Sequence, residues 1–471
     1  MALRLCLILT TLLLASCAEP LLFSTEQLIT EITLMRSDNF GGNGSGDGQD
    51  VGVTVVEHQQ AGYHPLEVSF SIGDELNWQG YHFPLPVIAD NYRVTYDQKF
   101  KPIKVTGQIT GGRAHSFRSI VDTMGERYVG AYVKNSVTFL GNTIAFLPIT
   151  LNQGLFYKEG REGELKWYYK INGTGASGLS QFSLDQNGNS YVVGNFAGVS
   201  SLYLNEDVLL NLDNTYNHFL MKLSPAGDLV WIRYFKISQI RDIEVFENKI
   251  LLSGYFSANL RIEDKVDVNS LGSHDALVAL YDVDGNFLWH KQMGGATEDI
   301  ISCGVLDDKG IYLGGYFSGN PTIDGQTIAS SVKTATLLKL NLAGELEWKR
   351  SMGVDALGTT IQSNCISLYQ DHIYWGTNTD GVSQMEHAPV MNITGKSVLL
   401  LQVEKDSGKT IFYDRFTGAT TASVFETFVD HLGRLTFGIY WSGSEMTYRG
   451  KTVAKNGGGQ DAYLGIYLIP N

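Results

Sequence analysis

The 471-residue chain has no block of lysine and arginine, and its formal net charge at pH 7 is −14. An acidic surface repels phosphate backbones, so we expect no nucleic-acid partner. The ten histidines show no zinc-ligand spacing, and the Gly-x-Ser-x-Gly elbow of serine hydrolases is missing. The sequence also lacks a sustained helical period. Beyond its first residues, no apolar run is long enough for a membrane helix.

Glycine and aromatic residues are abundant instead. The chain contains 52 Gly, 24 Tyr and 22 Phe residues, and tyrosine and phenylalanine favour β-strands. Apolar residues make up 43 % of the sequence, which is enough to bury a core. A chain of this length forms one domain only if internal repeats build a large closed body.

Two markers recur about every 60 residues, and a nearly fixed step of this size indicates one supersecondary unit repeated several times. The first is a hairpin of the type Gly-x-Leu-x-Trp, and the second is a glycine inside a strand, flanked by aromatic or β-branched residues. The hairpin aromatics are Trp167, Trp231, Trp289, Trp348 and, in a weaker copy, Phe412; the strand glycines are Gly130, Gly194, Gly254, Gly315, Gly376 and Gly438. Four short antiparallel strands per repeat are typical of one blade of a β-propeller. We interpret the Trp residues as outer-strand packing residues at blade junctions.

The repeats predict an all-β propeller of six four-stranded blades over residues 103–471. The last repeat ends before the position of its outer-strand Trp, so its fourth strand is missing from the C-terminal end. We expect a strand near 103–106 to pair with the last blade and close the ring, which removes exposed sheet edges. Residues 51–102 form either a small β appendage or a degenerate blade, and the second choice gives a seven-bladed ring.

The repeat also resembles the bacterial propeller repeats known as SBBP-type. The copy over residues 282–341 carries that pattern at Trp289, Gly294, Gly295, Asp307, Gly310, Tyr312, Gly315 and Phe317. The resemblance covers about 103–471 and implies a propeller. It implies no activity, because the family has no shared chemistry.

The N-terminus resembles the signal of bacterial lipoproteins. Arg4 precedes a short apolar run over residues 5–14, which ends in Leu14-Ala15-Ser16-Cys17 and matches the lipobox. The resemblance implies that residues 1–16 are a signal peptide and that Cys17 carries the lipid, whereas an ordinary cleaved signal is the alternative. Residues 17–50 are then a lipidated flexible tether, rich in glycine over 41–50. Ala18 favours the outer membrane of a Gram-negative cell envelope, facing the periplasm or the cell surface.

Cys303 and Cys365 lie in comparable places of adjacent repeats. An envelope location permits a disulfide between them, but neighbouring strands can also hold two buried free thiols apart. Both alternatives stay open, and neither implies catalysis, because no His or Asn context marks a nucleophile.

Candidate site residues come from the loops that lead into each inner strand and should converge at one mouth of the channel. Ionisable residues of these loops are Arg113, His115, Arg241, Asp242, Glu298, Asp299 and Glu426. We select Arg241, Asp242, Glu298 and Asp299 as ligand-binding candidates, because clustered carboxylates suit calcium or a sugar. A solvated rim without a ligand is the alternative. Apart from calcium, no metal or cofactor is expected.

These features predict a monomeric, lipid-anchored envelope propeller that binds a protein or glycan through one face. The alternative function is an envelope enzyme, either glycan-active or quinoprotein-like. In that case the channel-mouth carboxylates Asp242 and Asp299 would act as acid and base.

Overall fold

The computed structural model describes residues 32–34, 52–59, 66–71, 91–97, 102–110, 114–146, 153–175, 177–198, 200–212, 216–263, 265–328, 333–353, 365–379, 385, 397–418, 421–442, 445–448, 451–454 and 461–469. Within these ranges every regular element is a β-strand, which confirms the all-β fold class. The predicted lipidation site Cys17 and the glycine-rich run 41–50 lie outside them.

The strands up to residue 236 make three successive antiparallel groups, preceded by one short strand. The short strand is β1 (Ile32–Leu34), and the first group contains β2 (Gly52–His58), β3 (Glu67–Ser71), β4 (Asn91–Tyr96) and β5 (Pro102–Thr110). The second contains β6 (Ala114–Val121), β7 (Arg127–Val133), β8 (Val137–Phe139), β9 (Asn142–Ile144), β10 (Gln153–Glu159) and β11 (Leu165–Gly173). The third contains β12 (Gly178–Leu184), β13 (Ser190–Asn195), β14 (Ser200–Leu204), β15 (Asp207–Leu212), β16 (His218–Leu223) and β17 (Leu229–Lys236).

Four more groups follow. The fourth contains β18 (Gln239–Phe246), β19 (Lys249–Phe256), β20 (Asn259–Ile262), β21 (Val266–Asn269), β22 (Asp275–Asp282) and β23 (Phe287–Met293). The fifth contains β24 (Ile300–Asp307), β25 (Gly310–Phe317), β26 (Thr322–Ile323), β27 (Gln326–Thr327), β28 (Thr334–Leu340) and β29 (Leu346–Gly353). The sixth contains β30 (Ile366–Tyr369), β31 (His372–Thr379), β32 (Ser397–Glu404) and β33 (Thr410–Thr417); the seventh contains β34 (Thr421–Val429), β35 (Arg434–Ser442), β36 (Glu445–Tyr448), β37 (Lys451–Ala454) and β38 (Asp461–Leu468).

The groups share one plan. In the first six groups four main strands follow each other in chain order, each antiparallel to the one before, whereas the seventh has three such strands, β34, β35 and β38. We call the first main strand of each group the inner strand. A small hairpin is inserted between the second and third main strands of several groups and pairs with the fourth strand of the preceding group. Examples are Ile109 opposite Phe139, Phe235 opposite Ile262, and Phe416 opposite Tyr448. The sequence repeat did not predict these hairpins, which join successive groups along their outer edges.

The predicted closing strand is wrong. Residues 103–106 lie in β5, which pairs with β4 and with β8 rather than with the last group. The last group instead receives β1, with Ile32 opposite Leu464 and Leu34 opposite Ala462. The reason is that β2, β3 and β4 provide β5 with a sheet of its own, so β5 is not left without a partner. The strand β1 also falls inside the segment expected to be a flexible tether.

The hydrophobic cores lie between the faces of successive groups. In one of them, Leu251 and Leu280 of the fourth group pack with Ile301, Leu313 and Leu338 of the fifth, and all five are buried. Alternating side chains point to the two faces of a strand, so a strand covered on both faces is buried throughout. This explains why the third main strands β10 and β28 are buried at every position.

The repeated Trp residues occupy the junctions between successive groups. The indole N–H of Trp167 donates to the Pro225 carbonyl at 3.4 Å, and that of Trp348 donates to the Lys405 carbonyl at 3.0 Å. Trp231 and Trp289 do the same toward Val283 and Leu342. Each accepting carbonyl belongs to the hairpin of the next group. The junction role expected for these residues agrees with the contacts.

The hairpin glycine is required at these junctions for two reasons. Gly227 has a φ of +92°, and Gly408 has a φ of +64°, which side chains rarely adopt. A Cβ on Gly227 would also lie 2.8 Å from the Trp167 ring, and one on Gly408 would lie 2.8 Å from the Trp348 ring. The glycine and the Trp of the repeat are therefore two halves of one contact between neighbouring groups.

Truncating one of these indoles should destabilise the protein. We expect Trp348→Ala to lower the free energy of unfolding by about 3–5 kcal/mol, because it empties a buried junction. Trp348→Phe should cost less, since the ring stays and only the bond to the Lys405 carbonyl is lost. Thermal and urea unfolding measure both. Leu288→Ala, at a side chain that is 47 % exposed, is the control and should change stability by less than about 0.5 kcal/mol. Equal effects of Trp348→Ala and Leu288→Ala would contradict the junction role.

Candidate functional site

Six of the seven inner strands surround one cavity of about 190 Å³, which we call the central cavity. Its lining residues come from β2, β6, β18, β24, β30 and β34. The charged ones are Glu57, Arg118, Asp242 and Glu244. Apolar side chains such as Val305 and Leu306 complete the wall. The cavity therefore holds one cation and three carboxyl groups in a largely buried space.

Arg118 organises the central cavity. Its Nε donates to Glu57 Oε1 at 2.8 Å and its Nη2 to Glu57 Oε2 at 3.1 Å, so the pair is bidentate. Its Nη1 donates to the carbonyls of Phe182 at 2.7 Å and Ile243 at 3.3 Å, and Nη2 lies 3.5 Å from Glu244 Oε2. Burial lowers the pKa of Arg118, but the Glu57 and Glu244 carboxylates outweigh burial and raise it, so the guanidinium stays charged.

Asp242 and Glu244 are carboxyl groups with raised pKa values. Burial raises the pKa of Asp242 to about 6 and that of Glu244 to about 7, against the opposing effect of Arg118. Asp242 accepts two main-chain N–H groups, from Ile243 at 2.9 Å and from Gly304 at 3.0 Å. Because Gly304 belongs to β24, this carboxylate connects two neighbouring inner strands.

Arg118, Asp242 and Cys303 stand at equivalent places in their strands. Each is the residue after a register shift that marks a β-bulge in its inner strand. Each also reaches toward the next inner strand: Arg118 bonds the Phe182 carbonyl, Asp242 bonds the Gly304 amide, and Cys303 forms a disulfide with Cys365. The Cα atoms of the two cysteines are 5.8 Å apart, a normal disulfide separation. The disulfide alternative for this pair is the one present.

Asp299 is a buried carboxylate that holds its loop. Its Oδ2 accepts the Gly295 amide at 2.8 Å, and its Oδ1 accepts the Ser318 amide at 2.9 Å. Burial raises the pKa of Asp299 to about 7, and the nearby Asp275 and Glu298 carboxylates contribute in the same direction. Both oxygens are therefore occupied by the main chain.

Arg241 and Glu298 belong to a second group of residues, which we call the rim cluster. Its members are Arg241, Tyr255, His274, Glu298, Tyr316 and Lys333. The Arg241 guanidinium lies 5.5 Å from the centre of the Tyr255 ring, and the Tyr255 and His274 rings are 5.2 Å apart. These half-buried ring faces stand beside charged groups.

Glu298 connects the rest of the rim cluster. Its carboxylate lies 3.9 Å from His274 Nδ1 and 3.7 Å from Lys333 Nζ, and that ammonium sits 3.9 Å from the centre of the Tyr316 ring. Burial and the Glu298 carboxylate raise the pKa of Tyr316, whereas Arg241 acts in the opposite direction. Aromatic faces beside hydrogen-bonding groups can hold a polar ring such as a sugar, or a polar side chain of a protein.

The structure thus separates the four selected candidates. Arg241 and Glu298 meet in the rim cluster, Asp242 faces the central cavity, and Asp299 holds a loop. Arg113 lies outside the described residues, and the side chains of His115 and Glu426 are likewise outside the description. The residues that sequence reasoning missed are Glu57, Arg118 and Glu244. The sequence signal that could have identified them is a charged residue inside an otherwise apolar, alternating strand, as in Ile243-Glu244-Val245.

Comparisons with known proteins give only a distant likeness. No family model and no curated protein sequence matches the chain. Among the solved structures that match is one titled "Structure of Dos1 propeller", with 9 % sequence identity and a TM-score of 0.40. That alignment covers 93 % of this chain and 95 % of the other. The strand pairings, not this likeness, carry the description of the fold.

Two further observations apply to the described ranges only. Across them, no group of three or more His, Cys, Asp and Glu side chains is arranged to hold a metal ion. No helix in the same ranges is long and apolar enough to cross a membrane.

The raised pKa of Glu244 predicts a pH-dependent effect of Glu244→Gln. A carboxyl group with a raised folded pKa adds stability below its ordinary pKa, and this contribution is lost as pH rises through about 7. Glutamine stays neutral, so the variant should gain stability relative to the wild type between pH 5 and pH 8. Urea unfolding at both pH values measures the difference.

The control for this experiment is Glu247→Gln, at an exposed residue just after the same strand. It should differ from the wild type by the same amount at both pH values. A pH-independent difference for Glu244→Gln would show that burial does not raise the pKa of this carboxyl group.

Proposed function

We propose that the protein is a lipid-anchored, seven-bladed β-propeller of the bacterial cell envelope that binds a protein or glycan partner. Ring closure is supported by contact between the first and last inner strands, β2 and β34. Both also line the central cavity, through Glu57 on one side and Thr427 and Phe428 on the other. The first group, β2 to β5, follows the plan of the later groups and counts as a full blade. We therefore propose seven blades, the count that the sequence analysis gave as the alternative to six.

In this proposal β1 closes the ring. It supplies the fourth strand that the last blade lacks, beside β38. Closure by an N-terminal strand covers the edge of β38, which would otherwise be open to pairing with another chain. The segment between Cys17 and Ile32 then becomes the tether, and it spans at most roughly 50 Å when fully extended.

Removing residues 32–34 tests this closure. We expect the deletion to lower the free energy of unfolding by about 2 kcal/mol, because the main-chain hydrogen bonds between β1 and β38 are lost, and to promote self-association through β38. Thermal unfolding and size-exclusion chromatography measure the two effects. Deletion of residues 44–46, which shortens the glycine-rich run by the same length, is the control and should leave both unchanged. Identical behaviour of the two deletions would argue against β1 as the closing strand.

The envelope location is supported by the cysteines. Disulfides form and persist in oxidising compartments, and the bond joins Cys303 of β24 to Cys365, which directly precedes β30, with both cysteines buried. A chain that is exported through its N-terminal signal would meet such a compartment. The lipobox resemblance at Leu14-Ala15-Ser16-Cys17 adds the anchor.

The observation that carries the binding role is the rim cluster. It presents ring faces of Tyr255 and His274 beside the charges of Arg241 and Glu298. The carboxylates proposed for acid–base work, Asp242 and Asp299, each accept two main-chain N–H groups. We therefore propose structural roles for these two residues and a binding role for the rim.

Replacing the predicted lipidation site tests the anchor. We expect Cys17→Ala to move the protein from the membrane fraction to the soluble fraction of the envelope, because the thiol that carries the acyl chains is gone. Cell fractionation with immunoblotting measures this. Cys6→Ala, which changes a cysteine of the apolar run outside the lipobox, is the matched control and should stay in the membrane fraction. A Cys17→Ala protein that still sediments with membranes would refute the lipid anchor.

A further inference from the structure

The junction between the first and second groups differs from the four junctions that contain a Trp. At those four, an indole lies over the positive-φ glycine of the next hairpin. Cβ atoms on Gly227, Gly285, Gly344 and Gly408 would lie 2.8, 2.9, 3.3 and 2.8 Å from the facing Trp ring. The equivalent glycine of the second group is Gly163, with a φ of +83°. A Cβ there would meet only Glu159 Oε1, at 3.9 Å. No indole of the described chain covers Gly163.

The strand register explains the difference. In the fourth strands, the Trp is the residue paired just before a register shift: Trp231 lies opposite Lys222 and Trp348 opposite Lys339. In β5 the same place is taken by Lys104, opposite Thr95 and followed by the shift to Tyr96 and Pro102. The first group therefore has a lysine where the second to fifth groups have an indole.

A cavity of about 430 Å³ lies at this junction, which we call the junction cavity. Lys104 and Thr106 of β5, Thr95 of β4, and Arg161 and Gly163 of the β10–β11 hairpin are among its lining residues. This volume lies within the range of small-molecule sites. At the junctions that contain a Trp, the indole donates to the carbonyl of the residue two before the hairpin glycine, as in Pro225 and Val283. The corresponding carbonyl at the junction cavity is that of Arg161.

The charges around the junction cavity favour an anionic group on the ligand. Among the residues that the structure describes, four cations and three carboxylates line it. Arg127 pairs with Glu67 at 2.6 Å, and Arg93 pairs with Glu159 at 3.3 Å, so these four charges are largely compensated. The other charges are Lys104, which is exposed, Arg161 and Glu162. These three residues together carry one excess positive charge, and it lies beside the position that corresponds to the Trp ring of the other four junctions.

We propose that the junction cavity binds an indole ring that carries a carboxylate. The ring lies over Gly163 as the Trp rings lie over the hairpin glycines of the later groups. Its N–H donates to the Arg161 carbonyl, and its carboxylate pairs with Lys104. Such a ligand can be a free tryptophan derivative or a tryptophan beside an acidic residue in a peptide. This inference adds a second binding site to the one proposed for the rim cluster, and it depends on neither the rim cluster nor the lipid anchor.

The test is isothermal titration calorimetry of the full mature chain in detergent with N-acetyl-L-tryptophan. We expect a Kd of about 1 mM or tighter. The matched ligands separate the two contacts: N-acetyl-L-tryptophanamide lacks the carboxylate, and N-acetyl-L-phenylalanine lacks the indole N–H. Each should bind about tenfold more weakly, the effect of losing about 1.4 kcal/mol. Tighter binding of a Glu-Trp-Glu peptide than of N-acetyl-L-tryptophan assigns the ligand to peptides, and the reverse order assigns it to small molecules.

Two substitutions at one position complete the test. Lys104→Trp supplies the missing indole from the chain itself, so it should abolish binding and raise the thermal unfolding temperature. Lys104→Ala should weaken N-acetyl-L-tryptophan to the level of its amide. Lys236→Trp, at another exposed lysine of a fourth strand, is the control and should bind normally.

The proposal is overturned if the wild type shows no binding at several millimolar ligand, or if Lys104→Trp binds as well as the wild type. Either result leaves membrane fractionation of the Cys17→Ala protein unchanged. Failure of this site and failure of the anchored propeller are therefore distinguishable.

Discussion

The contact between an indole and a positive-φ glycine is the constraint on which the arrangement of the sheets depends. It fixes the second to sixth groups against one another at the outer edge, because the ring fits only where the facing residue has no Cβ. The hydrogen bond from the indole N–H to a hairpin carbonyl then fixes where along its strand the Trp meets the hairpin of the next group. Hydrophobic burial between the sheet faces stabilises the contact but has no direction of its own.

At the inner edge, neighbouring groups are connected by hydrogen bonds or by a disulfide instead of by a Trp ring. At three of the inner-strand bulges the following residue is an arginine, an aspartate or a cysteine, and each of these three connects its strand to the next group. A side chain at this position must be long enough to contact the next strand and must carry a bonding group, so several residue types can serve. For this reason the position does not stand out in the sequence repeat, although it brings Arg118 and Asp242 to the central cavity.

The all-β class and the later groups could be predicted from the sequence, because Trp348 and the strand glycine Gly315 are features of local chemistry that repeat. The first group could not be predicted in this way, because Lys104 stands where its Trp would be. The strand β1 could not be predicted either, because it is only three residues long. The sequence could name ionisable residues near the inner strands as site candidates, but not their surroundings. Arg241 lies within β18 rather than in a loop. The main-chain donors that occupy Asp242 and Asp299 depend on tertiary contacts that spacing does not reveal.

The position of β1 has a mechanical consequence. If the lipid at Cys17 holds the protein to a membrane, any pull on the anchor reaches the ring through the strand that closes it. A pull directed along β1 would load its hydrogen bonds with β38 together in shear, whereas a pull away from the sheet edge would open them one at a time. Bonds loaded together resist more force than bonds opened one at a time. Under the proposed anchoring, the direction of the tether would therefore decide how much tension the last group withstands.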